Sequence, residues 1–310
     1  MLGKLTLRDF GALFGGDIEE VEKYCGEFIR TFSWQYEPCT GAYRDRLLLT
    51  VLQHTDSQEL KTSGLHRAKD WEDGWTENLK EFTASGFDVE KLVPKYFKQN
   101  VPVRLLGDYI LPSDPNFVLN VTRSFRLFIF KKYLSGCREI HEFGCGTGHH
   151  LVCFQSIAPD KAYFGYDWAP SSQEILRILL ERKGWNILGR RFDFFSPDTT
   201  VVFGRDAGVM TFGSLEQLGA EHGKYLGFIL EKKPMICVDI VGLAELYDKD
   251  VLLDYVALRY HKRKHYLDGY LKKLRELESK GNVQILKVHR QKFGNLYDDP
   301  HSYVVWKTVK

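Results

Sequence analysis

Glycine occurs at three alternate positions near the middle of the chain: Gly144, Gly146 and Gly148. An apolar segment ending in Glu142 precedes them, and a second apolar segment, 162–166, is followed by Asp167. A strand, a glycine turn, a helix, a second strand and a terminal acid are typical of the mononucleotide-binding half of a doubly wound sheet. The spacing is not that of the dinucleotide-binding motif, and no Lys-Ser/Thr pair follows to make a phosphate loop. We therefore expect the glycines to bring the backbone close to an uncharged ribose or an amino-acid group.

Polar side chains also cluster where two later apolar segments end. The first cluster contains Thr211, Ser214, Glu216, Gln217 and His222. Glu216 has the chemistry of a base or a substrate-orienting group, and His222 could act as a second base. Ser214 followed by Glu216 could equally open a helix. In the second cluster, Asp239 and Glu245 could orient a polyol through paired hydrogen bonds, or they could cap the next helix.

A basic, tyrosine-rich run covers residues 259–266. His261 and His265 lie four residues apart and would share one face of a helix. A metal site needs a third ligand, which the sequence does not offer, so no metal is predicted. A solvated basic face is the default interpretation of such a run. The alternative is that Arg259, His261, Arg263 or Lys264 contacts an anionic acceptor, such as a carboxylate or phosphate on a sugar.

The second half of the chain alternates predicted strands and helices, as a doubly wound α/β sheet requires. The predicted strands are 139–143, 162–166, 185–192, 208–212, 235–240, 283–291 and 301–308. The predicted helices are 118–134, 149–157, 171–183, 215–218, 225–231 and a single long helix, 249–280. Only residues 293–300 separate the last two strands, which should therefore be antiparallel. The predicted sheet has five parallel strands followed by a C-terminal antiparallel hairpin.

Prolines between residues 94 and 112 break the helical pattern, and we place a domain junction there. Residues 1–116 are predicted to form a mostly helical lid and substrate-recognition region, and residues 117–310 the cofactor-binding domain. The segment 70–77 is unusually dense in tryptophan and acidic residues. Packing and acceptor recognition both remain open for it.

Composition is ordinary for a soluble globular protein, with 44% hydrophobic and 27% charged residues in a chain of 310. The formal net charge of +2 gives no global field that would favour nucleic acid or a membrane. The N-terminus has no long apolar core, so no secretory signal is expected. The six cysteines form no Cys-x-x-Cys pair, and we expect reduced thiols in a cytoplasmic protein.

The glycine turn, Asp167 and the segment 191–194 together resemble the first motifs of the class I S-adenosylmethionine (SAM) methyltransferases. The resemblance runs from about residue 117 to the end and implies a seven-stranded sheet with SAM as cofactor. It implies contacts from Glu142 and the glycine backbone to the methionine part, and from Asp167 to the ribose hydroxyls. For the adenine it implies Trp168 as a cover, Asp193 on the amino group and the Phe194 backbone N–H on a ring nitrogen. A residue of the preceding segment, Arg104, would bind the cofactor's carboxylate. Asp193 could instead simply open a loop, and a nucleotide-binding domain of another kind is the alternative to the whole site.

The acceptor is predicted from looser likenesses. The family motif Asn/Asp-Pro-Pro-Tyr/Phe is absent after the fourth strand. Its absence argues against methylation of DNA adenine and of glutamine. The segments 211–218, 260–263 and 302–306 are similar to those of bacterial methyltransferases of surface glycans, which act on sugar hydroxyls.

We therefore predict O-methylation of a sugar or another polar small molecule. The predicted catalytic residues are Glu216, His222 and Asp239, and the predicted substrate-binding residues are Thr211, Gln217, Glu245, His261 and Arg263. Small-molecule N-methylation is the alternative within the class. The low net charge disfavours an RNA-modifying enzyme. The polar groups at the expected acceptor site disfavour a SAM-binding module without catalysis. No nucleic-acid or membrane partner is expected, and a homodimer is left open.

Overall fold

A computed structural model describes residues 2–309. The helices are α1 (Leu7–Phe14), α2 (Ile18–Val21), α3 (Glu27–Arg30), α4 (Gly41–Asp56), α5 (Ala68–Ala84), α6 (Phe117–Ile129), α7 (His149–Ile157), α8 (Pro170–Lys183), α9 (Gly223–Lys232), α10 (Leu252–Lys264) and α11 (Tyr270–Ser279). The strands are β1 (Gly3–Lys4), β2 (Gln35–Pro38), β3 (Val103–Leu105), β4 (Asp108–Pro112), β5 (Glu139–Phe143), β6 (Ala162–Asp167), β7 (Ile187–Arg191), β8 (Ala207–Phe212), β9 (Ile236–Ile240), β10 (Val283–His289), β11 (Phe293–Gly294) and β12 (Tyr303–Thr308). Short 3₁₀ turns include Val89–Leu92 and Ser214–Leu218.

The main sheet has seven strands in the order β10-β12-β9-β8-β5-β6-β7. Strands β5 to β9 pair in parallel, while β12 runs antiparallel to both β9 and β10. This is the sheet that the methyltransferase resemblance implies, and it confirms the predicted α/β fold. The strand order reverses between β5 and β8, which lie side by side, so their carboxyl ends flank the crevice where such sheets bind ligands.

Each of the seven predicted strands is present, but the predicted long helix 249–280 is wrong. The chain leaves the helical conformation at His265, which has a φ of +54°, and a second helix begins after Gly269, which has a φ of +71°. The connection is held by long-range contacts, including a hydrogen bond from the Asp268 N–H to the Gly219 carbonyl oxygen (3.0 Å). Tertiary pairing therefore reinforces a break that the turn-favouring Asp268-Gly269 pair marks in the sequence.

The N-terminal segment is rich in helices, as predicted, and also contains strands that the sequence analysis missed. They form a second sheet in the order β1-β2-β4-β3-β11, whose last strand comes from the C-terminal hairpin connection. Phe14 of α1 packs against Phe125 of α6 with ring centroids 5.4 Å apart, so this segment and the main sheet share a core. The two predicted regions, residues 1–116 and residues 117–310, are therefore packed together.

Within residues 2–309, no helix combines the length and the apolar character needed to cross a membrane.

Candidate functional site

The glycine turn after β5 is fixed against the neighbouring strand. The three glycines have φ values of +73°, +54° and +71°, which L side chains rarely adopt. The Gly144 and Cys145 N–H groups both donate to the Tyr166 carbonyl oxygen, at 2.7 and 3.0 Å. A Cβ at Gly144 would overlap the Ser214 side chain, so the turn needs glycine for close approach as well.

Asp167 lies against this turn, where the resemblance places the ribose. Its carboxylate accepts hydrogen bonds from the Gly146 N–H (2.8 Å) and the Ala169 N–H (2.9 Å). Burial raises the pKa of Asp167 to about 6 although both hydrogen bonds favour the charged form. Each carboxylate oxygen can accept more than one bond, so Asp167 keeps capacity for a ligand hydroxyl. Trp168 follows it directly and is half-buried.

Glu142 is fully buried and is paired with a residue that the sequence analysis did not single out. Its Oε1 lies 2.6 Å from Nδ1 of His150, at the start of α7, and its Oε2 has no partner among the described residues. Burial raises the pKa of Glu142 and lowers that of His150. The two adjacent histidines that follow the third glycine were the available signal for this pair.

Two of the residues that the resemblance implies for the adenine, Asp193 and Phe194, lie just after β7. The Asp193 Oδ1 accepts a hydrogen bond from the Phe195 N–H (2.9 Å), which is the loop-opening alternative. The Phe194 ring packs against Tyr225 with centroids 5.0 Å apart. An adenine contact from Asp193 or from the Phe194 N–H remains a prediction.

The tryptophan-rich segment of α5 forms a roof over the glycine turn. A Cβ on Gly146 would lie 2.9 Å from Cζ2 of Trp75, and Trp71 stacks on Trp75 with centroids 5.5 Å apart. Glu72, between them, accepts hydrogen bonds from the Ser171 N–H (3.1 Å) and hydroxyl (2.9 Å) at the start of α8. These contacts show that this segment packs against the glycine turn and the start of α8.

Glu216 lies in the turn after β8 and faces residues that are remote in sequence. Burial, together with the nearby Asp298 carboxylate, raises the pKa of Glu216 to about 8, although Lys264 and Arg67 act in the opposite direction. Tyr96 lies near Glu216 and Glu142, whose charges both act to raise the pKa of its phenol. The residue keeps 56% of its surface exposed. These groups therefore lie near one another beside the glycine turn, at the crevice between the ends of β5 and β8, which we call the cleft.

The far side of the cleft carries a buried imidazole–carboxylate pair. Nε2 of His261 lies 2.9 Å from Oδ2 of Asp298. Burial raises the pKa of Asp298, but the contact with His261, the hydrogen bond from Asn295 and the charge of Arg104 together outweigh burial and leave this pKa below its ordinary value. Burial also lowers the pKa of His301 to about 4, so that its imidazole is neutral at pH 7. Asp298 and His301 were missed, although the run 298–301, Asp-Asp-Pro-His, stands in the last interstrand loop.

Three of the predicted acceptor-side residues are held by hydrogen bonds to other protein groups. Asp239 is buried and accepts hydrogen bonds from Thr211 (3.0 Å) and from the Tyr270 hydroxyl (2.6 Å) and Trp306 indole (2.7 Å). Glu245 accepts from the Leu271 N–H (3.0 Å) in the first turn of α11, which is the capping alternative. Asp239 and Thr211 thus bond inside the sheet rather than in the cleft.

The remaining predicted residues divide between the cleft and other contacts. Gln217 donates to Glu216 (3.2 Å) and stays beside the cleft. Nε2 of His222 contacts the Asp268 carbonyl oxygen (3.0 Å). Arg263 donates to the carbonyl oxygens of residues 55 and 57 at the end of α4, both at 3.3 Å.

Arg104 lies in a buried ion network and not at the glycine turn. Its guanidinium is 2.9 Å from Asp299 and 3.3 Å from Asp254, and only 1% of the residue is exposed. Arg290 pairs with the same two carboxylates. The arrangement joins β3 to α10 and to the loop before β12.

Among residues 2–309, no group of three or more His, Cys, Asp or Glu side chains is arranged to hold a metal ion.

The chain was compared with known proteins. No family model matches it, and no curated protein sequence matches it. Among solved structures, an O-methyltransferase (NcsB1) from neocarzinostatin biosynthesis, in complex with SAM and 2-hydroxy-5-methyl naphthoic acid, is 13% identical, with 64% of this chain and 59% of that chain covered and a TM-score of 0.42. The match thus spans about three fifths of that protein. The 16S rRNA methylase ArmA is 14% identical, with 76% and 98% covered and a TM-score of 0.46. TehB from Haemophilus influenzae is 10% identical, with 66% and 69% covered and a TM-score of 0.42. Likenesses at this level identify no substrate.

Proposed function

We propose that the protein transfers the methyl group of SAM to a hydroxyl of a sugar or another polar small molecule. The observation that carries this proposal is the meeting of two loops at the switch point of the sheet. The glycine turn after β5 and the turn holding Glu216 after β8 are joined by a hydrogen bond from the Ser214 hydroxyl to the Phe143 carbonyl oxygen (2.7 Å). A cofactor cradle and a carboxyl group of raised pKa therefore share one cleft.

The residues present fit the cofactor. The positive φ values of the turn and the Asp167 carboxylate suit backbone contact with an amino-acid group and hydrogen bonding to ribose. Trp71 and Trp75 offer aromatic surface above the turn and would exclude water from it. Bound SAM would supply an electrophilic methyl group on a positively charged sulfur.

Glu216 is the base that we propose, in preference to His222 and Asp239. Methyl transfer to a hydroxyl breaks the carbon–sulfur bond, forms a carbon–oxygen bond and releases the hydroxyl proton, which Glu216 would accept. A base is most effective when its pKa lies near the working pH, and the pKa of Glu216 is about 8. The three donors on Asp239 leave it less free to take a proton.

The acceptor side of the cleft suits a ring with polar substituents. Tyr96 supplies an exposed phenol, while Asp298 and Lys264 lie buried near Glu216 and act on it with charges of opposite sign. Aromatic faces with hydrogen-bonding groups at the edge are suited to sugars and phenols alike. The contact of His261 with Asp298 makes His261 an indirect rather than a direct contributor to acceptor binding.

Calorimetry with S-adenosylhomocysteine (SAH), the product of the reaction, tests the cofactor part of the proposal. We expect binding by the wild-type protein and at least tenfold weaker binding by Asp167→Ala, because two hydrogen bonds to charged oxygen are worth about 1.5–3 kcal/mol each. Absence of SAH binding by a folded sample would contradict the proposal. Transfer of labelled methyl from SAM to a panel of sugars, phenols and amines then identifies the acceptor atom.

A further inference from the structure

Arg126 of α6 is a buried cation without a counter-ion in the described part of the chain. Only 4% of the residue is exposed, and neither its Nε nor its Nη1 has a hydrogen-bond partner. No carboxylate of residues 2–309 forms an ion pair with it, whereas its neighbour Arg123 pairs with Glu90 at 2.6 Å. Burying a charge without a partner is costly, so such a group is expected to have a ligand.

Arg126 lines a cavity that lies between α6, α7 and the turn Val89–Leu92. The cavity has a volume of about 290 Å³. Its apolar wall includes Leu127, Val152 and Trp185. This volume could hold a small organic group. A polar or charged group inside the cavity would need hydrogen bonds from the polar residues of the wall.

His149 is the second polar residue of this wall that lacks a partner. It is buried, and its Nε2 has no hydrogen bond within the described chain. Burial lowers the pKa of His149 well below its ordinary value, so its imidazole is neutral and can donate one N–H. His149 is also the first residue of α7, where the helix dipole favours negative charge.

We propose that Arg126 and His149 form a buried carboxylate-binding site. A single guanidinium with one neutral donor balances a monoanion, and a planar guanidinium matches the two oxygens of a carboxylate. Arg123, the other cation that lines the cavity, is paired with Glu90, which also lines it, so no free second cation is left to balance a doubly charged phosphate.

Two sources could supply the carboxylate. The charge of Arg126 acts on Glu142, at the glycine turn, so the methionine end of SAM lies within the range of this site. In that case the inference deepens the proposed function and rests on it. The other source is a separate small carboxylate whose apolar part fills the cavity.

Calorimetry separates the two sources with SAH, which has the carboxylate, and 5′-methylthioadenosine, which lacks the amino-acid part. If the carboxylate belongs to the cofactor, Arg126→Met should weaken SAH binding about tenfold or more and change methylthioadenosine binding less than about twofold. Arg123→Met is the matched control, because it removes a charge that lines the same cavity but already has a partner, Glu90. It should leave the ratio of the two affinities unchanged.

Benzoate tests the separate source. In that case benzoate should raise the midpoint of thermal unfolding (Tm) of the wild-type protein and not that of Arg126→Met, with the SAH to methylthioadenosine ratio equal in both. If Arg126→Met alters neither that ratio nor the response to benzoate, the inference is overturned. If the wild-type protein binds neither nucleoside, the proposed function fails, while the benzoate measurement still decides the carboxylate site.

The ligand-free stability of the variant provides a further readout. Removal of a buried charge without a partner should raise the Tm of ligand-free Arg126→Met or leave it unchanged. Arg126→Lys, which keeps the charge, should retain part of the SAH or benzoate response. A lower Tm for Arg126→Met together with equal loss of both nucleosides would mean a purely structural role and would overturn the inference.

Discussion

At the scale of single residues, the most informative group is the Glu216 carboxyl. It is half-buried just after β8, and burial together with the Asp298 charge raises its pKa to about 8. A carboxyl with such a pKa is mostly protonated at pH 7 and becomes a base as the pH rises. This behaviour distinguishes it from ordinary surface carboxylates of the same chain.

If Glu216 is the base, kcat/KM of the wild-type protein should increase with pH and level off above about pH 8. Glu216→Gln should lower kcat about a hundredfold and remove this pH dependence, because the amide cannot take the proton. The measurement is a pH–rate profile of methyl transfer. Glu221→Gln, an exposed site in the following loop, is the control and should keep the wild-type profile. An unchanged profile in Glu216→Gln would exclude Glu216 as the base.

The same residue should make stability depend on pH. The folded state holds the proton of Glu216 more tightly than the unfolded chain, whose carboxyl titrates near 4.5. Its contribution to stability is therefore fully present below pH 4.5 and is lost as the pH rises through about 8. Glu216→Gln should raise the free energy of unfolding by about 1–3 kcal/mol at pH 9 and hardly at all at pH 4. Denaturant unfolding at both pH values measures this, and equal effects at the two would contradict it.

At the scale of elements, the glycine turn is constrained from two sides. Its own backbone requires a positive φ, and α5 presses Trp75 onto it from above. Thr147 adds a hydrogen bond from its hydroxyl to the Leu92 carbonyl oxygen (2.6 Å), which holds the segment after α5 against the turn. A change that destabilises the glycine turn should therefore also destabilise the segment of α5 that packs on it.

Gly146→Ala should destabilise the protein by about 2 kcal/mol and weaken SAH binding, because Ala is strained at a φ of +54° and its Cβ would meet Trp75. Gly227→Ala is the matched control. Gly227 lies within α9 with nothing within 4 Å of an added Cβ, so alanine there should stabilise by about 0.5–1 kcal/mol. Thermal unfolding and calorimetry measure both variants, and equal stabilities would show that the turn tolerates a side chain.

At the scale of the whole molecule, buried charges join the N-terminal segment to the main sheet. Arg104 of β3 and Arg290, just after β10, share Asp254 and Asp299. Strand β11 also pairs with β3, so the C-terminal hairpin connection contributes to both sheets. The two predicted domains are therefore expected to unfold together.

Arg104→Met should cost about 3–5 kcal/mol, because it leaves two buried carboxylates with a single arginine. Molecules that remain folded should bind SAH with the wild-type affinity. Denaturant unfolding followed by calorimetry at low temperature measures both effects. A large loss of SAH affinity without loss of stability would instead support the role that the sequence analysis gave to Arg104.

The seven strands and the glycine turn could be predicted because their signals are local. Apolar runs, turn residues and the acids at strand ends lie within a few residues of one another. The division of the segment 249–280 had one local signal, the Asp-Gly pair at 268–269, which is typical of a turn. Hydrogen bonds to residues 63 and 219, which no local pattern indicates, hold the chain at this break. The second sheet was missed because its strands are short, and because one of them, β11, pairs with β3 across more than half of the chain.

The sequence by itself determined the fold of the C-terminal domain and the edge of the sheet at which a cofactor should bind. The tertiary structure decided which polar residues face that edge. It brought Glu216, Asp298 and Tyr96 into one cleft and gave Asp239 and Arg104 buried partners of their own. It also left Arg126 buried without a counter-ion. The reason is physical: a turn is specified by neighbours in the chain, whereas burial and charge pairing depend on segments that meet only after folding.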